Sequence, residues 1–506
     1  MTGIQLHAEH DAALPRLGWV CKVDTQARRV DVRCGEGVEI GDDFVVEGIW
    51  DGAFAAGEFH RARHFFGTGV KVLGDDVIVV PSRALVDRVV LATSDGGVWA
   101  SNSLLLLLAV TARALDPDVD YLDACHAVIA GTDDYDPQID VVGDDALRFV
   151  QHYHRPLVIR AGTVTRQAAT PPVPFASFDA YHAALHDALA AIVDNAAAPQ
   201  RRTPISHFTS TSTGYDSAAV SALARSYGVT RCFTTDGART LDGMTLEDGR
   251  PVARALSLEP SVLTPGVPDA DVEQIMLGTT PDGRETLFSD MFELFAAQQS
   301  VACLWSGYHG DKLWDRATSG GYLDPQIKRG DMSGFNLGEI RLVVGFLNLS
   351  VPFMFASSIA DLVAVANASE MAPWQVGGDY DRPIPRRIAE QAGVPREAFG
   401  QSKARIMEYY SYCRNPELAQ AFRDHLASER SFGAIKRSAY EIAERLDYLV
   451  ARSALLPEAV SQRISLKRLL RPGASNLSNA LYVWAANRCA SQYAEKYREA
   501  LQRFDS

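Results

Sequence analysis

A strand, a turn of small polar residues and a helix follow one another in the middle of the chain. Pro204–Phe208 is an apolar run of β type, Ser212–Ser217 is the turn, and Ala218–Tyr227 reads as a helix that Gly228 ends. The first N–H groups of a helix have no partner within it, and the helix dipole favours negative charge beside them. The sequence therefore predicts an anion-binding turn at this point.

The side chains of this turn suit a phosphate group and a cation. Ser212 and Ser217 supply hydroxyl donors. Gly214 permits a positive φ and a close approach of the backbone to a ligand. Asp216 would repel a phosphate, so its expected role is to hold a divalent cation that bridges to phosphate oxygens. An ordinary βα turn with a Ser/Asp helix cap is the alternative interpretation.

The order Ser212-Thr213-Gly214-Tyr215-Asp216-Ser217 resembles the SGGxDS loop that binds pyrophosphate in ATP pyrophosphatases. Those enzymes adenylate a substrate and release pyrophosphate. Thr213 stands where that loop usually has its second glycine. The resemblance implies a nucleotide site that contains ATP and Mg²⁺.

A second strand and loop resemble the same enzymes. Val301–Trp305 reads as a buried strand, and Ser306-Gly307-Tyr308-His309-Gly310-Asp311-Lys312 follows it. This loop is similar to the SGxGxDE loop of the asparagine synthetase superfamily and follows the first loop in the superfamily's order. Asp216 and Asp311 would hold Mg²⁺ together, since ligands of open α/β sheets collect at the carboxyl ends of the strands. The nucleotide-binding residues that the resemblance implies are Ser212, Thr213, Gly214, Asp216, Ser217, Ser306 and Gly307.

A third set of segments follows in the order found in the C-terminal part of this superfamily. It consists of Glu370–Trp374, Tyr380–Arg387, Gly393–Pro395 and Phe399–Lys403. In the superfamily a basic helix leads to a loop with a catalytic lysine, and Lys403 occupies that place. The resemblance implies that Lys403 neutralises charge on the phosphate and on the oxyanion. A solvated surface lysine is the alternative.

Tyr308 is the sequence feature that bears on which nitrogen attacks the activated acid. Asparagine synthetases usually have Glu at this position, whereas β-lactam and carbapenam synthetases have Tyr, which acts with a Glu as base toward the substrate's own amine. Such a phenol needs its pKa drawn toward the working pH by neighbours such as Lys403. Glu339 and Glu370 are the candidate partners, and the sequence does not choose between them. A tyrosine that packs beside the nucleotide is the alternative.

Composition excludes several classes of function. The chain has 506 residues, of which 47% are hydrophobic, so two or three domains with real cores are expected. A net charge of −14 without a basic run argues against a nucleic-acid surface. The N-terminus lacks a signal-peptide pattern and the longest apolar run, Leu104–Val110, is too short to cross a bilayer. Seven scattered cysteines without a CxxC pair favour reduced thiols and a cytoplasmic location, and they argue against relatives that thiolate tRNA.

The N-terminal third is rich in short β-type runs. Asp95-Gly96-Gly97 is a hairpin signal, and an apolar helix is expected over residues 102–115. This pattern resembles the glutaminase domain of asparagine synthetases. That domain uses a cysteine at the mature N-terminus, but position 2 is Thr2 and the first cysteine is Cys21. We therefore expect a degenerate domain without catalytic activity, and a nitrogen donor other than glutamine.

Residues 168–174 form the clearest linker and divide the chain into two expected parts. Residues 1–167 would form a degenerate Ntn-type αββα sandwich. Residues 175–506 would form the synthetase domain, an α/β unit with an adenine-nucleotide-hydrolase-like parallel sheet and a helical C-terminal part. Five apolar residues at helical spacing predict a core-facing helix after the linker, namely Phe178, Tyr181, Leu185, Leu189 and Ile192.

The expected function is an ATP-dependent, AMP-forming amide synthetase that is independent of glutamine. Its substrates would be a small-molecule or peptide carboxylate and an amine, which could belong to one molecule and give a lactam or a macrolactam, as in the lasso peptide cyclases of this superfamily. The alternatives are an ammonia-dependent, asparagine-synthetase-like enzyme and a non-catalytic nucleotide-binding protein. Neither nucleic acid nor a membrane is an expected partner, and a homodimer is compatible with the sequence.

Overall fold

The computed structural model describes residues 3–94, 97–133, 135–143, 147–235, 248–263, 266–281, 289–328, 334–378, 380–401, 412–428, 471–502 and 504. Three sequence-based expectations fall outside these residues, namely those on Thr2, on the Asp95-Gly96 turn and on Lys403.

The N-terminal third is mainly β-structure. Its elements are β1 (Gln5–His10), β2 (Trp19–Asp24), β3 (Arg29–Cys34), β4 (Glu39–Ile40), β5 (Phe44–Trp50), β6 (Phe65–Leu73), β7 (Asp76–Val80), β8 (Val89–Ser94), β9 (Gly97–Ser101), α1 (Leu104–Thr111), β10 (Ala114–Leu115), α2 (Tyr121–Ala130), β11 (Gln138–Ile139), β12 (Val141–Val142), β13 (Arg148–His152), β14 (Leu157–Arg160) and β15 (Thr163–Arg166).

Helices and parallel strands alternate in the rest of the chain. The elements are α3 (Phe178–Ala196), β16 (Ile205–Ser210), α4 (Tyr215–Ser226), β17 (Arg231–Thr235), α5 (Arg250–Ala255), β18 (Glu259–Leu263), α6 (Ala270–Leu277), α7 (Ser289–Ala296), β19 (Val301–Ser306), α8 (Gly310–Leu313), α9 (Leu337–Val344), β20 (Phe346–Ser350), α10 (Ile359–Asn367), α11 (Pro383–Gln391), α12 (Pro416–Ser428), α13 (Arg471–Lys496) and α14 (Arg498–Gln502).

Two sheets stack face to face in the N-terminal part. One has the order β1-β3-β2-β9-β8-β13-β11 and the other the order β15-β14-β7-β6-β5-β4. Alternate residues of the strands point into the space between them; Val30 and Val32 of β3 meet Val70 and Val79 of the facing sheet in one apolar cluster. The helix α1 packs on β8 and β9 of the first sheet, α13 packs on α1, and α3 packs on β5 of the second sheet. Helices thus flank a two-sheet sandwich.

The helix α1 is shorter than the predicted 102–115 and is buried on every side. Ser103 begins it, because its hydroxyl accepts a hydrogen bond from the Leu106 amide, and Ala112 ends it in the left-handed region at φ 52°. All five leucines from Leu104 to Leu108 are fully buried. Such a helix, apolar on all faces, requires neighbours on all faces, and α13 supplies the outer one.

The expected parallel sheet is present and has five strands in the order β18-β17-β16-β19-β20. Every neighbouring pair is parallel. All six residues of β19 are buried, as expected for a strand covered on both faces. The chain runs outward from β16 to β18 and then returns to the other side of β16, so the strand order reverses between β16 and β19.

The two parts of the molecule share a continuous core. The predicted stripe on α3 is confirmed, since all five of its apolar residues are buried and Ser177 caps the helix. The same apolar cluster includes Ile49 and Phe66 of the sandwich and Trp305 of the parallel sheet. In the described part of the chain, no helix combines the length and the apolar character that crossing a membrane would need.

Candidate active site

The turn between β16 and α4 is held by its own hydroxyl groups. Ser212 Oγ and Ser217 Oγ share a hydrogen bond of 2.5 Å, and the Gly214 amide donates to Ser212 Oγ over 3.1 Å. The strand is confirmed. The helix begins at Tyr215, three residues before the predicted start, because Gly214 adopts the extended conformation of an N-cap. Asp216 and Ser217 therefore lie in the first turn of α4, at its positive end.

Gly214 does not use the positive φ that a glycine permits. Its φ is −76° and its ψ 155°, which any residue can adopt. The glycine is instead suited to the limited space beside the turn, since a Cβ here would stand 3.2 Å from Ser212 Oγ. The close backbone approach occurs instead in the loop after β19, at Gly307 and Gly310.

The loop after β19 presses directly on Asp216. A Cβ at Gly310 would lie 2.3 Å from Asp216 Cγ, and a Cβ at Gly307 would lie 3.0 Å from Asp216 Cβ. His309 between them adopts the left-handed conformation at φ 67°. Ser306, at the end of β19, donates to Asn348 Oδ1 of β20 over 2.5 Å. The two predicted loops are thus in contact, and glycine is the residue that permits it.

Asp216 combines an ion pair with an oxygen that has no partner. Its Oδ2 lies 2.6 Å from Arg382 Nη1, whereas its Oδ1 is buried without a hydrogen bond. Burial raises the pKa of Asp216 to about 6; the carboxylates of Asp311 and Asp315 act in the same direction, and Arg382 opposes them. A second cation would relieve this repulsion and use the free oxygen.

The donors present fit a magnesium ion held partly by a phosphate. In the described ranges, no group of three or more His, Cys, Asp or Glu side chains is arranged to hold a metal. Mg²⁺ is commonly bound by one or two protein carboxylates together with water and the oxygens of a phosphate. The carboxylates of Asp216 and Asp311 are the residues that could supply the protein's share of such a set.

Arg382 is a functional candidate that the sequence reasoning missed. Its side chain is almost fully buried, pairs with Asp216 and lies 3.6 Å from Asp315 Oδ2. Burial works against the charge of Arg382, but Asp216 and the neighbouring acids outweigh it and raise the pKa. The sequence signal for Arg382 was the basic run Tyr380–Arg387. This run indicated a helix but did not show that Arg382 pairs with Asp216. Arg386 from the same run donates to the Tyr215 hydroxyl over 2.5 Å.

The segment that leads to Lys403 also contacts the first loop. The Gly400 amide donates to the Thr213 carbonyl over 2.7 Å, and a Cβ at Gly400 would stand 2.5 Å from the ring of Tyr215. The described chain stops at Gln401, two residues before Lys403. The Ser212–Ser217 turn therefore contacts both the loop after β19 and the described part of the segment Phe399–Lys403.

Tyr308, Glu339 and Glu370 are distributed differently. Tyr308 is half-buried beside the loop glycines, and its carbonyl accepts from the Ser350 hydroxyl over 2.9 Å. Glu339 is buried on α9, where it accepts from the Ser103 hydroxyl and from the Leu104 amide. Burial raises the pKa of Glu339, and Arg88 opposes that shift.

The Glu370 carboxylate also accepts a hydrogen bond at a helix N-terminus. Its Oε1 accepts from the Phe178 amide over 3.0 Å, and its Oε2 lies 3.3 Å from Arg387 Nη1. Both candidate carboxylates thus hold the first turn of a helix, α1 for Glu339 and α3 for Glu370. A role as the base partner of Tyr308 stays a prediction for each.

The sequence matches no protein-family model, and a search of curated proteins finds no significant relative.

Proposed function

We propose that this chain is an ATP-dependent, AMP-forming amide synthetase that joins a carboxylate to an amine without using glutamine. One observation carries the proposal: the turn that begins α4 and the loop after β19 meet at Asp216, whose Oδ1 is buried and unpaired beside Asp311. A helix N-terminus, hydroxyl donors and two carboxylates on neighbouring strand ends suit a polyphosphate with its cation.

The topology supports a ligand site at the same place. In open α/β sheets, ligands bind outside the carboxyl ends of the strands, where the strand order reverses. That reversal lies between β16 and β19, the two strands that carry the loops. We infer an adenine-nucleotide-hydrolase-like sheet in residues 175–506 and a degenerate Ntn-type sandwich in residues 1–167.

The roles of the residues follow from the charges involved. Asp216 and Asp311 would hold Mg²⁺, which neutralises phosphate charge when bound. Ser212, Ser217 and the first amides of α4 would bind the pyrophosphate portion of ATP, together with Thr213 and Gly214. Ser306 and Gly307 would form the side of the nucleotide site opposite the Ser212–Ser217 turn. Arg382 keeps Asp216 charged and correctly oriented.

The reaction consists of two displacements. A carboxylate oxygen attacks the α-phosphorus of ATP, the bond to pyrophosphate breaks, and an acyl-adenylate forms. A nitrogen then adds to the acyl carbon and loses a proton, and AMP leaves with the electron pair of the broken C–O bond. Lys403 is proposed to stabilise the oxyanion of the second step.

We propose that an amine is the nitrogen donor. Cys21 and Cys34 in the strands of the sandwich are fully buried, which supports a nitrogen donor other than glutamine. An amine enters protonated near neutral pH and needs a base, the role proposed for Tyr308. Its two predicted partners, Glu339 and Glu370, each accept a hydrogen bond at a helix N-terminus, so either would have to leave that helix to act with Tyr308. Release of glutamate during incubation with ATP, Mg²⁺ and candidate acids would contradict this assignment.

The test of adenylation is ATP–pyrophosphate exchange with a panel of carboxylic acids. We expect Asp216→Asn and Asp311→Asn each to lower exchange by at least about 100-fold, since a ligand of the cation is lost. Asp271→Asn is the matched control, an exposed acid in the first turn of α6. Normal exchange in either site variant would exclude the metal site, and ATP binding without any exchange would favour a non-catalytic nucleotide-binding protein.

The test of the amine assignment is Tyr308→Phe. We expect this variant to form adenylate and pyrophosphate normally but to form amide about 10²–10⁴ times more slowly, because the general base is lost. The deficit should shrink as the pH rises, since more of the amine is already neutral. Rapid-quench measurement of adenylate and amide separates the two steps. Unchanged amide formation at neutral pH would favour the ammonia-dependent alternative.

A further inference from the structure

A polar cavity separate from the candidate active site lies at the junction of the sandwich and the parallel sheet. Its volume is about 40 Å³, room for a few water molecules or one small planar group. The sandwich contributes Arg63, His64 and Arg83, and the segment after β20 contributes Phe353 and Phe355. Two parts of the chain that are far apart in sequence thus build one cavity.

Two buried polar groups at this cavity have no hydrogen-bond partner. Arg83 is 8% exposed and His64 is 4% exposed, and neither Arg83 Nε nor His64 Nε2 is paired. Arg83 is fixed in place because its Nη1 donates to the His154 carbonyl over 2.7 Å. Buried polar groups of this kind are normally satisfied, so each unpaired one indicates a missing partner.

The cavity is electropositive. Arg63 and Arg83 line it together with His64 and His154, and no acidic residue does. Burial lowers the pKa of Arg83 to about 10 and that of His64 to about 3, so the guanidinium is charged and the imidazole neutral at pH 7. Asp51 is a neighbouring acid; it accepts from the His64 amide, and its charge opposes the effect of burial on the pKa of Arg83.

The backbone around the cavity is strained on both sides. His154 and Phe355 both adopt a φ of 65°, which residues other than glycine rarely do. Phe355 sets its ring against His64 at 4.5 Å, and the ring of Phe353 lies 5.0 Å from that of His309 in the loop after β19. Strain held by packing on both walls is typical of binding sites.

We propose that this cavity binds the carboxylate group of a small molecule, with Arg83 as the anchoring cation and His64 as a second donor. A planar carboxylate matches the fork of a guanidinium and the small volume. The proposal does not depend on the adenylation chemistry, because the cavity lies outside the residues assigned to ATP.

The test measures binding of acetate and malonate to the full chain, by calorimetry and by thermal shift at constant ionic strength. We expect saturable binding that Arg83→Met weakens by about 10- to 100-fold, as for loss of a hydrogen bond to a charged group. Arg83→Lys should lose less because the charge is kept. Arg61→Met is the matched control, since the side chain of Arg61 is 65% exposed and pairs with the exposed Glu58.

Several outcomes would overturn the proposal. They are the absence of saturable carboxylate binding by the unchanged chain, equal binding by Arg83→Met, and binding of inorganic phosphate in place of carboxylates. If Arg83→Met does not fold by circular dichroism, His64→Phe replaces it, because this change removes the second donor and fills the cavity. Retained carboxylate binding in His64→Phe would equally contradict the site.

Discussion

Asp216 is constrained from three directions at once. Arg382 holds one carboxylate oxygen, the backbone at Gly307 and Gly310 closes over the side chain, and the first turn of α4 carries it. The oxygen left over has no partner in its buried position. A group held this rigidly costs no reorganisation when a cation arrives, which is what preorganised electrostatic catalysis requires.

Gly310→Ala tests whether this contact matters. The new methyl group would stand 2.3 Å from Asp216 Cγ, so either the loop or the carboxylate must move. We expect pyrophosphate exchange to fall by about 100-fold, because a displacement of about 1 Å has such an effect at an active site. Gly321→Ala is the control, since the nearest atom to its Cβ would be Lys328 Nζ at 3.5 Å. Full activity in Gly310→Ala would mean that the carboxylate has no fixed position.

At the scale of elements, α9 links the two parts of the molecule through buried charges. Arg341 on α9 makes a bidentate pair with Glu47 of β5, both bonds 2.8 Å long, and a further bond to Asp87. Glu339, two residues earlier, caps α1 of the sandwich. One of the two carboxylates predicted as partners of Tyr308 is therefore part of the contact between α9 and the sandwich.

Arg341→Met is expected to destabilise the protein by about 3–5 kcal/mol, because two buried carboxylates lose their cation. The loss should appear as a lower urea midpoint with both parts unfolding together. Arg250→Met removes an exposed ion pair with Asp248 and should leave the midpoint unchanged. A small effect of Arg341→Met, or separate unfolding of the two parts, would show that the ion pairs of Arg341 contribute little to stability.

At the scale of the whole molecule, acid sensitivity is built into the centre of the parallel sheet. His207 of β16 accepts a hydrogen bond of 3.0 Å from the indole Nε1 of Trp305 on β19. This bond requires an unprotonated Nδ1. Burial lowers the pKa of His207 to about 4, and Arg201 acts in the same direction.

His207→Gln should therefore reduce the loss of stability on acidification. Between pH 6.5 and 4 the unfolded chain binds a proton at this histidine and the folded chain does not, so stability falls as the pH falls. From pH 7 to pH 5 the unchanged protein should lose about 1–2 kcal/mol more than His207→Gln. Denaturation curves at both pH values measure this difference. Equal losses in the two proteins would mean that His207 is protonated without cost.

The sequence was most informative where a signal is local. The strands β16 and β19, their polar turns and the stripe on α3 each depend on residues close together in the chain, and all were predicted. Gly214 shows the limit of local reasoning, because its φ depends on where α4 begins. Arg382 pairs with Asp216 across 166 positions, and Glu339 caps α1 across 235, so only the folded structure reveals those partners.

The burial of α1 has a consequence for how the chain is made. Leu104–Leu108 are covered from outside by α13, which is synthesised roughly 360 residues later. At about 5–20 residues per second, the ribosome needs roughly 20–70 s to supply that cover. During this interval five consecutive leucines lack their final partner, so the growing chain is most prone to aggregate, and most dependent on chaperones, before α13 emerges.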